Sequence, residues 1–148
     1  MFVRTKSLTF THAFIRDILD SLADSGEAAA LFDGLKYKYF TNAITPSADD
    51  ALLDYTIAAL GTAGGDVTWV EVINLEDDKH ALKAQAEDIA GPGPTAENLE
   101  GIVILNTAMD TFLGGYRFEA PIPIAAEGDA VSVDIIAALD TTWDNGVE

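Results

Sequence analysis

Between Gly101 and Leu139 the chain carries three apolar runs of strand length separated by glycine, proline and acidic turn residues, the pattern of a sheet. Gly101 to Asn106 is a continuous apolar run, as a strand covered on both faces requires, and Phe112 to Ala120 and Ala130 to Leu139 are the second and third runs. Glu127-Gly128-Asp129 supplies the turn before the third. Pro121 and Pro123 lack the N–H that a central strand needs, so their segment is an edge or an extended crossing.

Upstream the periodicity is mixed. Leu35, Tyr37 and Tyr39 alternate with Lys36, Lys38 and Phe40, which predicts a strand with one covered face, closed by the Thr45-Pro46-Ser47 turn. Ala51 to Leu60 fits neither period cleanly, and Gly61-Thr62-Ala63-Gly64-Gly65 ends it in a turn. Val67 to Leu75 alternates again. Lys79 to Ile89 is alanine-rich and reads either as a short helix or as a polar crossing, and Gly91-Pro92-Gly93-Pro94 is loop.

The first residues have a different period. From Phe10 to Gly26, Phe14, Ile18 and Leu22 share one helical line with Ile15 and Leu19 beside it, while Arg16, Asp17, Asp20 and Asp24 point away. Thr11 caps this helix, Phe10 folds back onto Ile15 as a staple, and Gly26 ends it; Ala28 to Phe32 prolongs it or forms a second short turn. The helix either covers one end of its own domain or docks on a larger assembly. Together these elements predict a mainly β fold, a β-sandwich or barrel-like domain with an N-terminal amphipathic α-helix. The boundary falls between a helical segment at residues 1–34 and a β-rich domain at residues 35–148.

Charge narrows the partners. The formal net charge is -17, so nucleic acid would meet repulsion over most of the surface instead of a basic stripe. Residues 1–40 hold five basic and five acidic side chains, whereas residues 84–148 hold twelve acidic ones and only Arg117. A neutral N-terminal stretch suits docking on protein, and an acidic remainder suits solvent. The longest stretch without a charged side chain lies between Asp54 and Asp66, too short to span a bilayer, and no apolar run suited to a signal peptide follows Met1 to Lys6. With no cysteine, disulfides, thiolate metal sites and cysteine nucleophiles are excluded.

No catalytic, cofactor-binding or metal-ligating set stands out. His12 and His80 are the only histidines, without zinc-ligand spacing. Glu76-Asp77-Asp78 and Asp49-Asp50-Asp54 lack the alternating loop of a calcium site and read as solvated surface. The glycine-rich turn at residues 61–65 lacks the lysine of a phosphate-binding loop, and there is no Gly-x-Ser-x-Gly elbow. Trp69, Trp143 and Tyr116 form either a sugar-stacking platform or ordinary packing.

Two stretches carry more information. Tyr39-Phe40-Thr41-Asn42-Ala43-Ile44-Thr45-Pro46, followed by Leu53-Asp54-Tyr55-Thr56-Ile57-Ala58-Ala59-Leu60-Gly61, resembles the opening of a family of small structural proteins encoded among the head genes of tailed bacteriophages. Gly115-Tyr116-Arg117-Phe118-Glu119-Ala120-Pro121-Ile122 through Glu127-Gly128-Asp129-Ala130-Val131-Ser132-Val133 resembles that family's final hairpin. The resemblance implies a β-rich virion component on the outer capsid surface, a decoration or cement protein that stabilises the shell. It would bind the major capsid protein as a homo-oligomer, expected to be a trimer, with no enzymatic activity, cofactor, nucleic acid or membrane. The alternatives are a tail or fibre module that binds host glycan through Trp69 and Trp143, and a carboxylate enzyme or calcium protein.

Overall fold

The computed structural model describes residues 8–15, 17, 32–74 and 80–139. Its described part is mainly β, in two antiparallel sheets. The first contains β1 (Thr9–Phe10), β2 (Lys36–Phe40), β3 (Gly65–Asp66), β6 (Glu97–Leu105) and β7 (Phe112–Ile124), in the order β1-β7-β6-β2-β3. The second contains β4 (Glu71–Asn74), β5 (His80–Ile89) and β8 (Ala130–Leu139), in the order β4-β5-β8. Each order ends on two different strands, so neither sheet closes and the barrel-like alternative does not hold.

The strands follow their side-chain periods. In β2, Tyr37 and Tyr39 are buried on one face, Lys36 and Lys38 are half-buried, and Phe40 is buried on the other face. The β6 run from Gly101 to Leu105 is buried throughout because both faces are covered. Leu99, Ile102 and Ile104 enter a core shared with Ala84, Ala86, Val131, Ile135 and Ala137 of the second sheet. Val103 and Leu105 face a second cluster with Phe40, Tyr55 and Phe112.

Two segments stitch the sheets together. Leu8 donates its N–H to the Ile136 carbonyl of β8 at 2.8 Å, and the next two residues pair with β7 in the other sheet. Residues 65–74 do the reverse: Gly65–Asp66 pair with β2, Val67 N–H bonds Leu35 O at 2.9 Å, Val70 N–H bonds Lys83 O at 2.8 Å, and Glu71–Asn74 pair with β5. Each segment satisfies the backbone of one sheet edge and then of the other.

Several expectations are corrected. Residues 80–89 are neither helix nor crossing but a ten-residue strand, paired along its whole length with β8. Ala84 and Ala86 supply a small inner face, while Gln85 and Glu87 are exposed, so the alternation exists but is muted by alanine. The stretch from Gly115 to Val133 is not a hairpin. β7 and β8 lie in different sheets, and the Ala125–Asp129 turn carries the chain between them. That turn is built by Asp129, whose Oδ2 accepts from the Ala125 and Ala126 N–H groups at 2.7 and 2.8 Å, which holds its carboxyl below the usual range. Gly128 sits at φ +92°, open to glycine without strain.

Within β7, Arg117 opposes Gly101 and Ile122 opposes Leu99, so five residues on one strand advance against two on its partner. The excess bulges Glu119, Ala120 and Pro121 into solvent. β1 covers only Gly114 and Gly115 of β7, which leaves Pro121 and Pro123 on an edge, as their missing N–H groups require.

Of the helix expected from Phe10 to Gly26, only His12 to Ile15 and Asp17 are described as helical, and Ile18, Leu22 and Gly26 lie outside the described residues. Phe10 belongs to a strand, not to the helix, and the helical turn begins at His12. Thr11 caps it as expected, its Oγ1 accepting from the Phe14 N–H at 3.1 Å. The staple forms between Phe10 and Phe14, ring centroids 5.2 Å apart. Both rings are buried in the shared core.

Candidate functional site

The first resembling stretch folds into a cap over the outer face of β2, β6 and β7. Its framework is a set of side chains that bond backbone. Asn42 donates through Nδ2 to the Asp54 carbonyl at 2.9 Å and accepts at Oδ1 from the Thr56 N–H at 2.8 Å. Asp54 Oδ2 accepts from the Ala51 N–H at 2.8 Å, closing the single 3-10 turn Leu52–Asp54. Tyr55 lies between Phe40 and Phe112, with centroids 5.0 and 4.8 Å away, and its hydroxyl donates to Asp50 Oδ2 at 2.6 Å. Burial, and then the bond to and charge of Asp50, hold the Tyr55 phenol well above its ordinary pKa.

The expected acidic cluster is therefore divided by function. Asp50 and Asp54 brace the cap, since Asp50 also accepts from the Ser47 N–H at 2.8 Å, while Asp49 points into solvent 3.6 Å from His12 Nε2. Among the described residues no three His, Asp or Glu side chains converge as metal ligands. Glu76-Asp77-Asp78 lies outside the described residues.

A second polar cluster spans the two sheets. The hydroxyls of Tyr37 and Tyr39 both donate to Asp88 Oδ2, at 2.8 and 2.7 Å. Burial, reinforced by the bond to and charge of Asp88, pushes Tyr37 up to about 12, and the same causes raise the more deeply buried Tyr39 further. Such phenols stay protonated near neutral pH, so they donate hydrogen bonds and do not act as bases or nucleophiles. Gly61 lies beside this cluster, where a Cβ would stand 3.4 Å from Tyr39 Cε2 in ordinary contact, so its φ of +71° and not a lack of space favours glycine.

The aromatic side chains suggested as a sugar platform make separate contacts. Trp69 Nε1 donates to the Phe32 carbonyl at 2.9 Å and its ring meets Phe32 edge-on. The Tyr116 hydroxyl donates to the Asp134 carbonyl at 2.6 Å and its ring meets Phe118. Burial raises the Tyr116 pKa. Trp143 lies outside the described residues.

A cleft of about 270 Å³ opens where β5, β6 and β7 meet the loops, lined by Leu60, Gly61, Ala90, Pro92, Glu97 and Ile124 among others. Its only carboxylate is spent on structure: the two oxygens of Glu97 accept from the Ala59 and Leu60 N–H groups, each at 2.9 Å. Neither Glu97 nor Asp88 was expected from the sequence, since their partners lie 37 or more residues away. The Gly61 to Gly65 turn forms as expected, with Gly61 and Gly64 at φ +71° and +84°.

Among the described residues no helix is long and apolar enough to cross a membrane. Comparison of the chain with protein-family models, curated proteins and solved structures finds no match.

Proposed function

We propose that this chain is a virion structural protein, a capsid decoration protein that binds the outer surface of the shell through the major capsid protein and stabilises it. The observation that carries the reading is the cap. Asn42, Asp54 and Tyr55, three of the residues in the first stretch that carries the phage-family resemblance, are the ones that build it over Phe40 and Phe112. The likeness thus falls on positions the fold needs, not on incidental surface.

The rest of the molecule suits that work. We take the two sheets as a β-sandwich: one core cluster draws from both, and Tyr37 and Tyr39 reach across to Asp88. A small fold stitched at two edges contributes contact area with little ordering cost on binding. A protein that binds only assembled capsomers stabilises them by mass action, and many identical sites act together. The negative charge keeps crowded copies apart in solvent, and closed symmetry favours copies clustered about a local rotation axis, where a trimer is the proposed arrangement. The glycan-binding alternative gains no support from Trp69 and Tyr116, whose polar atoms are already bonded within the fold.

The test is the protein's location in purified particles, by imaging at subnanometre resolution. Density for the fold on the outer capsid surface is the expected result. A protein abundant in infected cells and missing from mature particles would remove the proposal.

A further inference from the structure

We infer that the cap over residues 41–60 is the docking face, with Leu53 as its apolar anchor, and that it fits a socket rimmed by lysine and arginine on the shell. The inference rests on the virion reading above and assigns the face that reading leaves open.

Leu53 is 89% exposed, more than Ile89 at 71% or Val70 at 63%, the other large apolar side chains in solvent among the described residues. One exposed leucine is ordinary in a mobile loop. Leu53 is not in one. The bonds of Asp54 to the Ala51 N–H and of Asn42 to Asp54 and Thr56 fix the 3-10 turn, while Leu52 and Tyr55 on either side pack inward against the second cluster. Leu53 therefore has no inward position to adopt without dismantling the turn. A preorganised apolar side chain loses little freedom when a partner covers it, which is how anchor residues differ from adaptable contacts.

Charge identifies the partner. Within residues 41–60 the charged side chains are Asp49, Asp50 and Asp54, with no lysine or arginine, and His12 stands 3.6 Å from Asp49. Asp49 and Asp54, near Leu53 in the turn region, are exposed. A second copy of this chain would set like charges against each other, whereas a basic rim around an apolar pocket is complementary in both respects. The outer face of the second sheet is a poorer candidate, since Ile89 shares it with exposed Gln85, Glu87 and Ser132.

The experiment uses the full chain and purified shells stripped of it, taken from the phage that encodes it, with bound protein measured by co-sedimentation. Leu53→Asp is compared with Ile89→Asp, which adds the same charge at another exposed apolar site. Leu53→Asp is expected to weaken binding at least about tenfold while Ile89→Asp leaves it unchanged. Both variants should keep the wild-type melting temperature, because both side chains are already in solvent. Wild-type binding should weaken as salt is raised. If the wild type binds and Leu53→Asp binds equally well, or both variants weaken alike, the cap is not the docking face although the virion reading stands. If the wild type does not bind, both fall.

Discussion

The hydroxyl of Tyr39 donates to Asp88 Oδ2 at 2.7 Å, from β2 of one sheet to β5 of the other. Tyr37, two residues earlier on the same face, shares that acceptor at 2.8 Å. Tyr55 and Tyr116 also donate to internal oxygens, so all four tyrosines of the chain are bonded within the fold and held above their ordinary pKa of 10.0.

This predicts alkaline instability with a definite sign. Unfolded tyrosines release protons near pH 10, whereas Tyr37 holds its proton to about 12 and the other three hold theirs longer. Between these limits the unfolded state binds fewer protons, so the stabilisation is complete below pH 10 and declines above it. Each tyrosine contributes a slope of about 1.4 kcal/mol per pH unit. Phenolate absorbance should therefore rise in one cooperative step that coincides with loss of β circular dichroism. Four independent titrations near pH 10 in the folded protein would contradict it.

Removing donor or acceptor from the inter-sheet cluster should have unequal effects. Tyr39→Phe deletes one hydrogen bond and leaves Asp88 bonded to Tyr37, a loss of about 1 kcal/mol. Asp88→Ala removes the acceptor that both hydroxyls share, that of Tyr39 on a residue with no exposed surface, and should cost about 2–3 kcal/mol. Urea unfolding midpoints at pH 7 distinguish the two; equal shifts would mean that water or another acceptor replaces Asp88.

Glycine substitutions separate packing from backbone freedom. A Cβ on Gly101 would sit 2.4 Å from both Phe40 Cζ and the Tyr116 carbonyl oxygen, so Gly101→Ala forces apart two strands and a buried ring. The expected cost is about 1–3 kcal/mol. Gly91 meets nothing within 4 Å and shows no positive φ, so Gly91→Ala should stabilise by about 0.4–1 kcal/mol through the unfolded chain. Thermal melts of the two variants should move in opposite directions.

Sequence pattern carried most information where burial is two-sided and turns are chemically marked. β8 spans Ala130 to Leu139 as its apolar run predicts, and β2 begins one residue inside its predicted start at Leu35. β5 was hidden because alanine satisfies helical and extended patterns alike, and only tertiary contacts, the pairing with β4 and β8 and the facing sheet from which Tyr37 and Tyr39 reach Asp88, select the strand. Nor does adjacency in sequence reveal that β7 and β8 belong to different sheets, because an Asp129-braced turn serves a crossing as well as a hairpin. The candidate site divides the same way. Asn42, Asp54 and Tyr55 bond within one short stretch and leave a local motif, whereas Asp88 and Glu97 work on residues that only tertiary folding brings near.

The same distinction bears on the N-terminus. If residues 1–34 were a separable docking helix, the β domain would fold without them. Leu8, Phe10 and Phe14 are instead 5%, 3% and 3% exposed, and Phe32 packs between Phe14 and Trp69. Each buried side chain of this size contributes about 1.5–3 kcal/mol, a sum comparable with the whole stability of a domain at about 5–15 kcal/mol. Removing residues 1–15 also deletes the bond from Leu8 to Ile136 and the β1 pairing that join the sheets on that side. A fragment of residues 16–148 should therefore bind a hydrophobic dye and lose its cooperative melt, and Phe10→Ala alone should cost about 3–5 kcal/mol. A fragment that melts cooperatively at the full-length temperature would mean that these rings cover the core without holding it.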